Sequence, residues 1–290
     1  MKFVKYMSPK HSVKQLQEIA CQVRRDIVRM VHAVQSGHPG GSLGCADLLV
    51  ALFHEVMDYK AKPFKMDGKG EDIFILSNGH ISPVLYSTMA HAGIFDVKEL
   101  ATFRKLNSRL QGHPATHEHL EGVRIASGSL GQGLSVATGI ALSKQMNNDP
   151  KTVYCLMGDG ELEEGQNWEA IMFAAHNKVD NLIGIVDFNG QQIDGSTKDI
   201  MGLTEIKDKF EAFGWLTLDM DGNNMGNVLE ILNKAKSMSG QGKPVLIKMK
   251  TDMGAGVDFM MGSHEWHGIA PNNEQLANAL AQLPETLGDY

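Results

Sequence analysis

The sequence is poor in cysteine. Its 290 residues hold three, Cys21, Cys45 and Cys155. An odd number at wide spacing excludes a disulfide framework and a paired-cysteine zinc site, and it suits a reduced, cytoplasmic setting. There is no basic surplus: 27 Lys and Arg stand against 34 Asp and Glu, for a net charge of −7. That excludes a nucleic-acid backbone as partner, which needs a basic face. No apolar run nears the roughly 20 residues of a membrane span, so no membrane partner is expected. The first residues, MKFVKYMSPKHSVKQLQ, lack the apolar stretch of a signal peptide. Internal repeats and low-complexity stretches are missing. So is the nucleotide P-loop, GxxxxGKS/T. Gly131-Gln132-Gly133 begins like a dinucleotide fingerprint but lacks the third glycine.

Glycine and histidine are plentiful, at 31 and 12. The glycines are dispersed, which suggests backbone held close to a ligand. The histidines suggest proton chemistry near neutral pH. Hydrophobic residues at 42% and charged residues at 21% are those of a folded globular chain. Apolar periodicity predicts helices over 13–35 (within an N-terminal helical segment of about 8–35), 45–57, 83–92, 134–145, 164–178 and 225–238. Short apolar runs predict strands at 72–76, 152–157, 182–187, 215–220 and 245–249. Residues 105–130 read as one long loop, and such loops are often functional. Near-continuous apolar strands alternating with helices imply an α/β fold, a parallel β-sheet with helices on both faces. One domain over 1–290 is expected. Ligands in such sheets sit beyond the carboxyl ends of the strands.

Two of those ends carry the sharpest signal. Asp159, in Gly158-Asp159-Gly160, follows one strand, and Asn189 follows the next, thirty residues later. One right-handed strand–helix–strand crossover lies between them. Adjacent parallel strands lie about 4.8 Å apart, so the two side chains can converge. A carboxylate, an amide oxygen and backbone carbonyls are hard ligands, suited to Mg²⁺ or Ca²⁺. A diphosphate can complete the octahedron, with Gly158 and Gly160 letting backbone approach it.

On these residues the sequence resembles the thiamine-diphosphate enzymes, and within them the transketolase family. GDG…N (158–189) is similar to the cofactor motif of the whole group. SGHPGGSLG (36–44), LSNGH (76–80), LQGHP (110–114), SGSLGQG (127–133) and GSHEWHG (262–268) are similar to transketolase segments in the same order. The resemblance implies the thiamine-diphosphate-binding fold. It implies Asp159, Asn189 and the Gln191 carbonyl as metal ligands. His80, Gly158, Gly160, Asn189 and His264 would hold the diphosphate. Gly128, Leu130 and Ile193 would meet the rest of the cofactor. His38, His80, His113 and His264 would line the substrate channel as acids and bases. Glu164 would sit at the subunit contact, linked to the acid that activates the cofactor. Two positions depart from the family: Gln191, where an aliphatic residue is usual, and Ser129, where proline is common.

The resemblance covers only the first of the family's three domains. It therefore implies the N-terminal subunit of a split enzyme, active with a separate C-terminal chain as an α₂β₂ heterotetramer. The reaction implied moves a two-carbon ketol unit from a ketose phosphate to an aldose phosphate, as in the pentose phosphate pathway. Alternatives are an unusual sulfonated or branched ketose, a deoxyxylulose-phosphate-synthase-like reaction, or a non-catalytic cofactor-binding scaffold. Other features read as structural. His11, His32, His54, His91 and His176 lie at or near helical surfaces, and His267 is structural or supporting. Glu161 and Glu163 form a solvated first helical turn. The 17 methionines fill the core.

Overall fold

The structure, a computed structural model, describes residues 10–290. The first residues of the expected helical segment, 8 and 9, lie outside the described residues. Helix α1, Val13–Val34, begins at a capping box between Ser12 and Gln15 and ends at Gln35 in a left-handed conformation. Its buried stripe includes Leu16, Val23, Ile27 and Val31. The helix expected over 45–57 is divided. Short helices α2 (Pro39–Gly44) and α3 (Ala46–Ala51) lead into a π-helical turn, Leu52–Val56.

Strand β1 is Ile73–Leu76, followed by helix α4, Ser82–His91. The segment 105–130 is a loop with one 3₁₀ turn, Thr116–Glu118. Helix α5 (Gln132–Met146) leads to β2 (Val153–Gly158), and α6 (Gly165–His176) leads to β3 (Leu182–Phe188). A small hairpin, β4 (Gln191–Gln192) and β5 (Gly195–Ser196), comes next. The rest is α7 (Thr197–Met201), α8 (Ile206–Phe213), β6 (Leu216–Asp221), α9 (Met225–Met238), β7 (Val245–Lys250) and α10 (Asn273–Gln282).

The main sheet runs β1-β2-β3-β7-β6, with every pairing parallel. The three central strands are buried on both faces, so their side chains form continuous apolar runs. One core joins the sheet to α1, α3, α4 and α9; the other joins it to α5, α6 and α8. The winding reverses between β3 and β7, and this is the position where open parallel sheets place ligands. Among the described residues no helix is long and apolar enough to cross a membrane.

Two expected surface histidines are not on the surface. His91 Nε2 lies 2.8 Å from Asp26 Oδ2, at the floor of the α1–α4 contact. His54, on the π turn, is largely buried beside His11, and burial pushes its pKa down to about 4. The acids of the first turn also divide. Glu161 is buried in a 3₁₀ turn, Gly160–Glu163, while Glu163 is half-buried and accepts from Gln192. The helix itself begins one turn later, so Glu161 has no helix terminus to face.

Candidate active site

The register pairs Gly158 with Asp187, which sets the two informative strand ends side by side. Asp159 is 4% exposed. Its Oδ1 accepts from the Gly160 amide at 2.9 Å and its Oδ2 from the Gly190 amide at 2.8 Å. The aspartate of β2 thus already holds the turn after β3. Burial pushes its pKa up to about 7, the neighbouring Asp187 carboxylate adds to this, and the backbone donors oppose it. No basic side chain pairs with Asp159 among the described residues. A buried carboxylate without a counter-ion is costly, so this corner fits a divalent cation.

Asn189 donates through Nδ2 to Asp187 Oδ2 at 2.8 Å, and its Oδ1 accepts from the Gln191 amide at 2.9 Å. Asp187 is fully buried and also accepts from the Thr251 hydroxyl. Gln191 is half-buried on β4. The carboxylate of Asp159, the amide oxygen of Asn189 and the Gln191 carbonyl are all hard oxygen atoms, of the kind that would suit Mg²⁺ or Ca²⁺. Among the described residues no group of three His, Cys, Asp or Glu forms a metal site of another kind.

A group of imidazoles is drawn from three distant loops. His38 caps α2, His80 lies in the 3₁₀ turn after β1, and His267 lies in the 3₁₀ turn His264–His267. The His38 ring is 5.0 Å from His80 and 5.6 Å from His267; His80 is 5.0 Å from His267. His113 stands at the rim, 6.3 Å from His38. The structure does not place His264 in this group. His264 is exposed and makes none of these ring contacts, and the imidazole delivered by the same turn is that of His267.

Burial, and then the neighbouring rings, push His38 down to about 4. The same causes lower His80, and burial lowers His113 and His267. At neutral pH the group is therefore uncharged, where the sequence suggested titration near 6.5. The Nδ1 atoms of His38 and His267 are buried without a hydrogen-bond partner, as is Asn78 Oδ1. Buried polar atoms without a partner are uncommon, and a polar ligand in this group would satisfy these three.

Glycine makes the loops meet. A side chain at Gly79 would put its Cβ 2.5 Å from Ser127 Oγ. Gly128 has φ +131°, and a Cβ there would lie 2.8 Å from the His113 ring. Leu130 offers its carbonyl to Gln166 at 3.2 Å, and Ser129 is exposed. Ile193 is 61% exposed on the hairpin, on the His38 side of the site near Gly268. Glu164 is exposed at the start of α6, beside Gly131.

Two residues here had no signal in the sequence. Arg104 donates through Nη1 to Ser36 Oγ at 2.9 Å, and its charge helps keep His38 and His113 neutral. Glu161 accepts from the Ser77 hydroxyl, from the Gly131 amide at 2.7 Å and from the Gly158 amide at 3.0 Å.

Comparison with known proteins finds a family for this chain. The family described as "Transketolase, thiamine diphosphate binding domain" matches residues 16–285. The chain belongs to this family.

Transketolase-family chains of two lengths are similar to it. A 6-deoxy-6-sulfo-D-fructose transketolase subunit, SqwG, of Clostridium sp. (strain MSTE9) is 37% identical over 268 residues, covering 92% of this chain and 96% of that one. An apulose-4-phosphate transketolase subunit from Actinobacillus succinogenes is 36% identical, covering 94% and 98%. The human transketolase is 35% identical over 92% of this chain, but only 41% of its own length is matched. The crystal structure of the Campylobacter jejuni transketolase superposes with a TM-score of 0.86 at 35% identity, over 94% of this chain and 43% of that one. The chain thus spans about two fifths of the single-chain enzymes and nearly all of the shorter relatives. Family membership establishes the thiamine diphosphate binding domain and supports a role in ketol transfer.

Proposed function

We propose that this chain is the N-terminal, diphosphate-binding subunit of a two-chain transketolase. It transfers a two-carbon ketol unit from a ketose to an aldose, with thiamine diphosphate and Mg²⁺ (or Ca²⁺). One observation carries the reading: the hairpin that follows Asn189 packs against the turn His264–His267, and a Cβ at Gly268 would lie 3.6 Å from the His38 ring and 4.0 Å from Ile193 of that hairpin. Asp159, Asn189 and the Gln191 carbonyl would hold the metal. His80, Gly158 and Gly160 would meet the diphosphate, and Gly128, Leu130 and Ile193 the rest of the cofactor. Residues 1–290 would form one such domain.

The bound cofactor supplies the carbon nucleophile that carries the ketol unit. The chain's residues handle the sugar's protons. Neutral His38 and His267 have ring nitrogens free of protein partners. Each can accept a proton from a sugar hydroxyl or return one to a sugar oxygen. The channel role suggested for His264 is proposed here for His267. His113 at the rim would bind the incoming sugar, and Glu164 would face the companion chain.

The companion would be a C-terminal transketolase chain in an α₂β₂ assembly, in the cytoplasm. Val136 on α5 and Met172 and Phe173 on α6 are 39%, 55% and 49% exposed, an apolar face that supports such an assembly. The names of the same-length relatives favour a second reading of the substrate, a sulfonated or branched ketose rather than a common sugar phosphate. The test pairs the chain with a C-terminal transketolase chain, thiamine diphosphate and Mg²⁺. Ketol transfer from fructose 6-phosphate, sulfofructose and apulose 4-phosphate is then measured. Transfer by this chain alone would sink the two-chain reading.

A further inference from the structure

We propose that Glu161 is a positioning residue, whose buried carboxylate ties three glycine-rich loops into the cradle that receives the cofactor. The proposal rests on the cofactor reading above. Glu161 is 2% exposed and makes no ion pair among the described residues. Its Oε1 accepts from the Ser77 hydroxyl and the Gly131 amide, and its Oε2 accepts from the Gly158 amide at 3.0 Å. Those donors belong to three separate segments: the loop after β1, the turn that opens α5, and the end of β2. Ser77 Oγ in turn accepts from the Gly133 amide at 3.1 Å. The Glu161 carbonyl accepts from Asn167 Nδ2 at 2.7 Å, which anchors the turn to α6.

The arrangement needs an acceptor oxygen at both ends of the side-chain head. Backbone amides are obligate donors, so Gly131 and Gly158 each need an acceptor. A glutamine keeps one acceptor oxygen and must turn its amide group toward one of them. Ser77 can rotate to adapt, but a backbone N–H cannot. The loss then falls on the turn before Asp159 or on the loop of Gly128 and Leu130. An aspartate is one methylene short and cannot span all three donors.

The test has two independent measurements. Amide hydrogen exchange on the chain should show Gly131 and Gly158 exchanging faster in Glu161→Gln, with distant strands unchanged. Calorimetric titration of thiamine diphosphate with Mg²⁺, in the presence of the companion chain, should show binding weakened roughly 10- to 100-fold, as when a ligand-orienting partner is lost. At saturating cofactor, kcat should recover far more than cofactor affinity does, which general damage to the fold would not produce. Ser77→Ala is the milder control and should weaken binding about 3- to 10-fold in the same direction. Wild-type affinity in Glu161→Gln would overturn the proposal. So would a Glu161→Gln chain that loses its fold while Ser77→Ala binds normally. Failure of the wild-type pair to bind thiamine diphosphate would instead overturn the cofactor reading.

Discussion

The Asn189 side chain donates to Asp187 at 2.8 Å, and this bond leaves its amide oxygen on the side of Gln191. Asp187 is held in turn by the Thr251 hydroxyl. A buried acid two residues away therefore decides which atom of Asn189 would be offered to a cation. Asp187→Ala should weaken Mg²⁺-dependent cofactor binding about 10- to 100-fold. Asp187→Asn should cost less, because the Thr251 hydroxyl can turn to accept from the new amide. Titration of Mg²⁺ at fixed thiamine diphosphate measures both, and equal affinities in all three chains would contradict this role.

Asp159 should matter more to binding than to stability. Its carboxylate is buried beside that of Asp187 without a basic partner among the described residues, yet both its oxygens accept from backbone amides, those of Gly160 and Gly190. Asp159→Asn removes the buried charge but turns its amide group toward one of those donors. The two effects oppose, and without metal the variant should lie within about 1 kcal/mol of wild type. With Mg²⁺ and thiamine diphosphate the wild type should gain stability and the variant should not. Thermal melts with and without both show the difference, and equal stabilisation of the two chains would count against a cation at this corner.

The two histidines of the turn His264–His267 should behave differently. His267 lies 5.0 Å from His80, ring to ring, whereas His264 is exposed. His267→Asn should lower kcat/KM about 10²- to 10⁴-fold, the usual weight of a general acid or base. His264→Asn should change it less than about threefold. Steady-state kinetics with the companion chain distinguishes them, and a larger loss at His264 would reverse the assignment.

Acid should weaken the fold through imidazoles that are buried uncharged. His54 titrates at about 4 in the fold, held down by burial and then by His11 and His91, with Glu55 pulling the other way. An unfolded histidine titrates near 6.5. Between those values the unfolded chain binds a proton that the folded chain does not. Stability is therefore lost as pH falls from 6.5 toward 4. Relative to wild type, His54→Gln should gain about 1–2 kcal/mol across that window, allowing for the solvent that still reaches the ring. Urea unfolding at pH 7, 5.5 and 4.5 measures the gain. A wild-type-to-variant difference that does not change with pH would contradict it.

The sheet was legible because its physics is local. Strands such as 153–158 and 182–188 are buried on both faces, so their apolar runs are continuous and hard to mistake. That the strand ends before Asp159 and Asn189 lie side by side was legible because one crossover fixes where two neighbouring parallel strands end. Glu161 was not, since an acid just before a helix reads as a solvated first turn. Its burial is created by Ser77 and Gly131, which lie 84 and 30 residues away in the chain. The GSHEWHG motif located a turn but could not say which of its imidazoles faces inward. The division of 45–57 into an α-helix and a π turn left no periodic trace, because both windings keep the same residues apolar.

The central claim is that this chain supplies the metal and diphosphate half of a ketol-transferring site. The most direct measurement is ketol transfer with all parts present: this chain, a C-terminal transketolase chain, thiamine diphosphate, Mg²⁺ and a ketose donor. Transfer is expected only when every part is present, and it should be abolished by Asp159→Ala. Tight cofactor binding with no transfer from phosphorylated, sulfonated or branched ketoses would contradict the account and leave a cofactor-binding scaffold in its place.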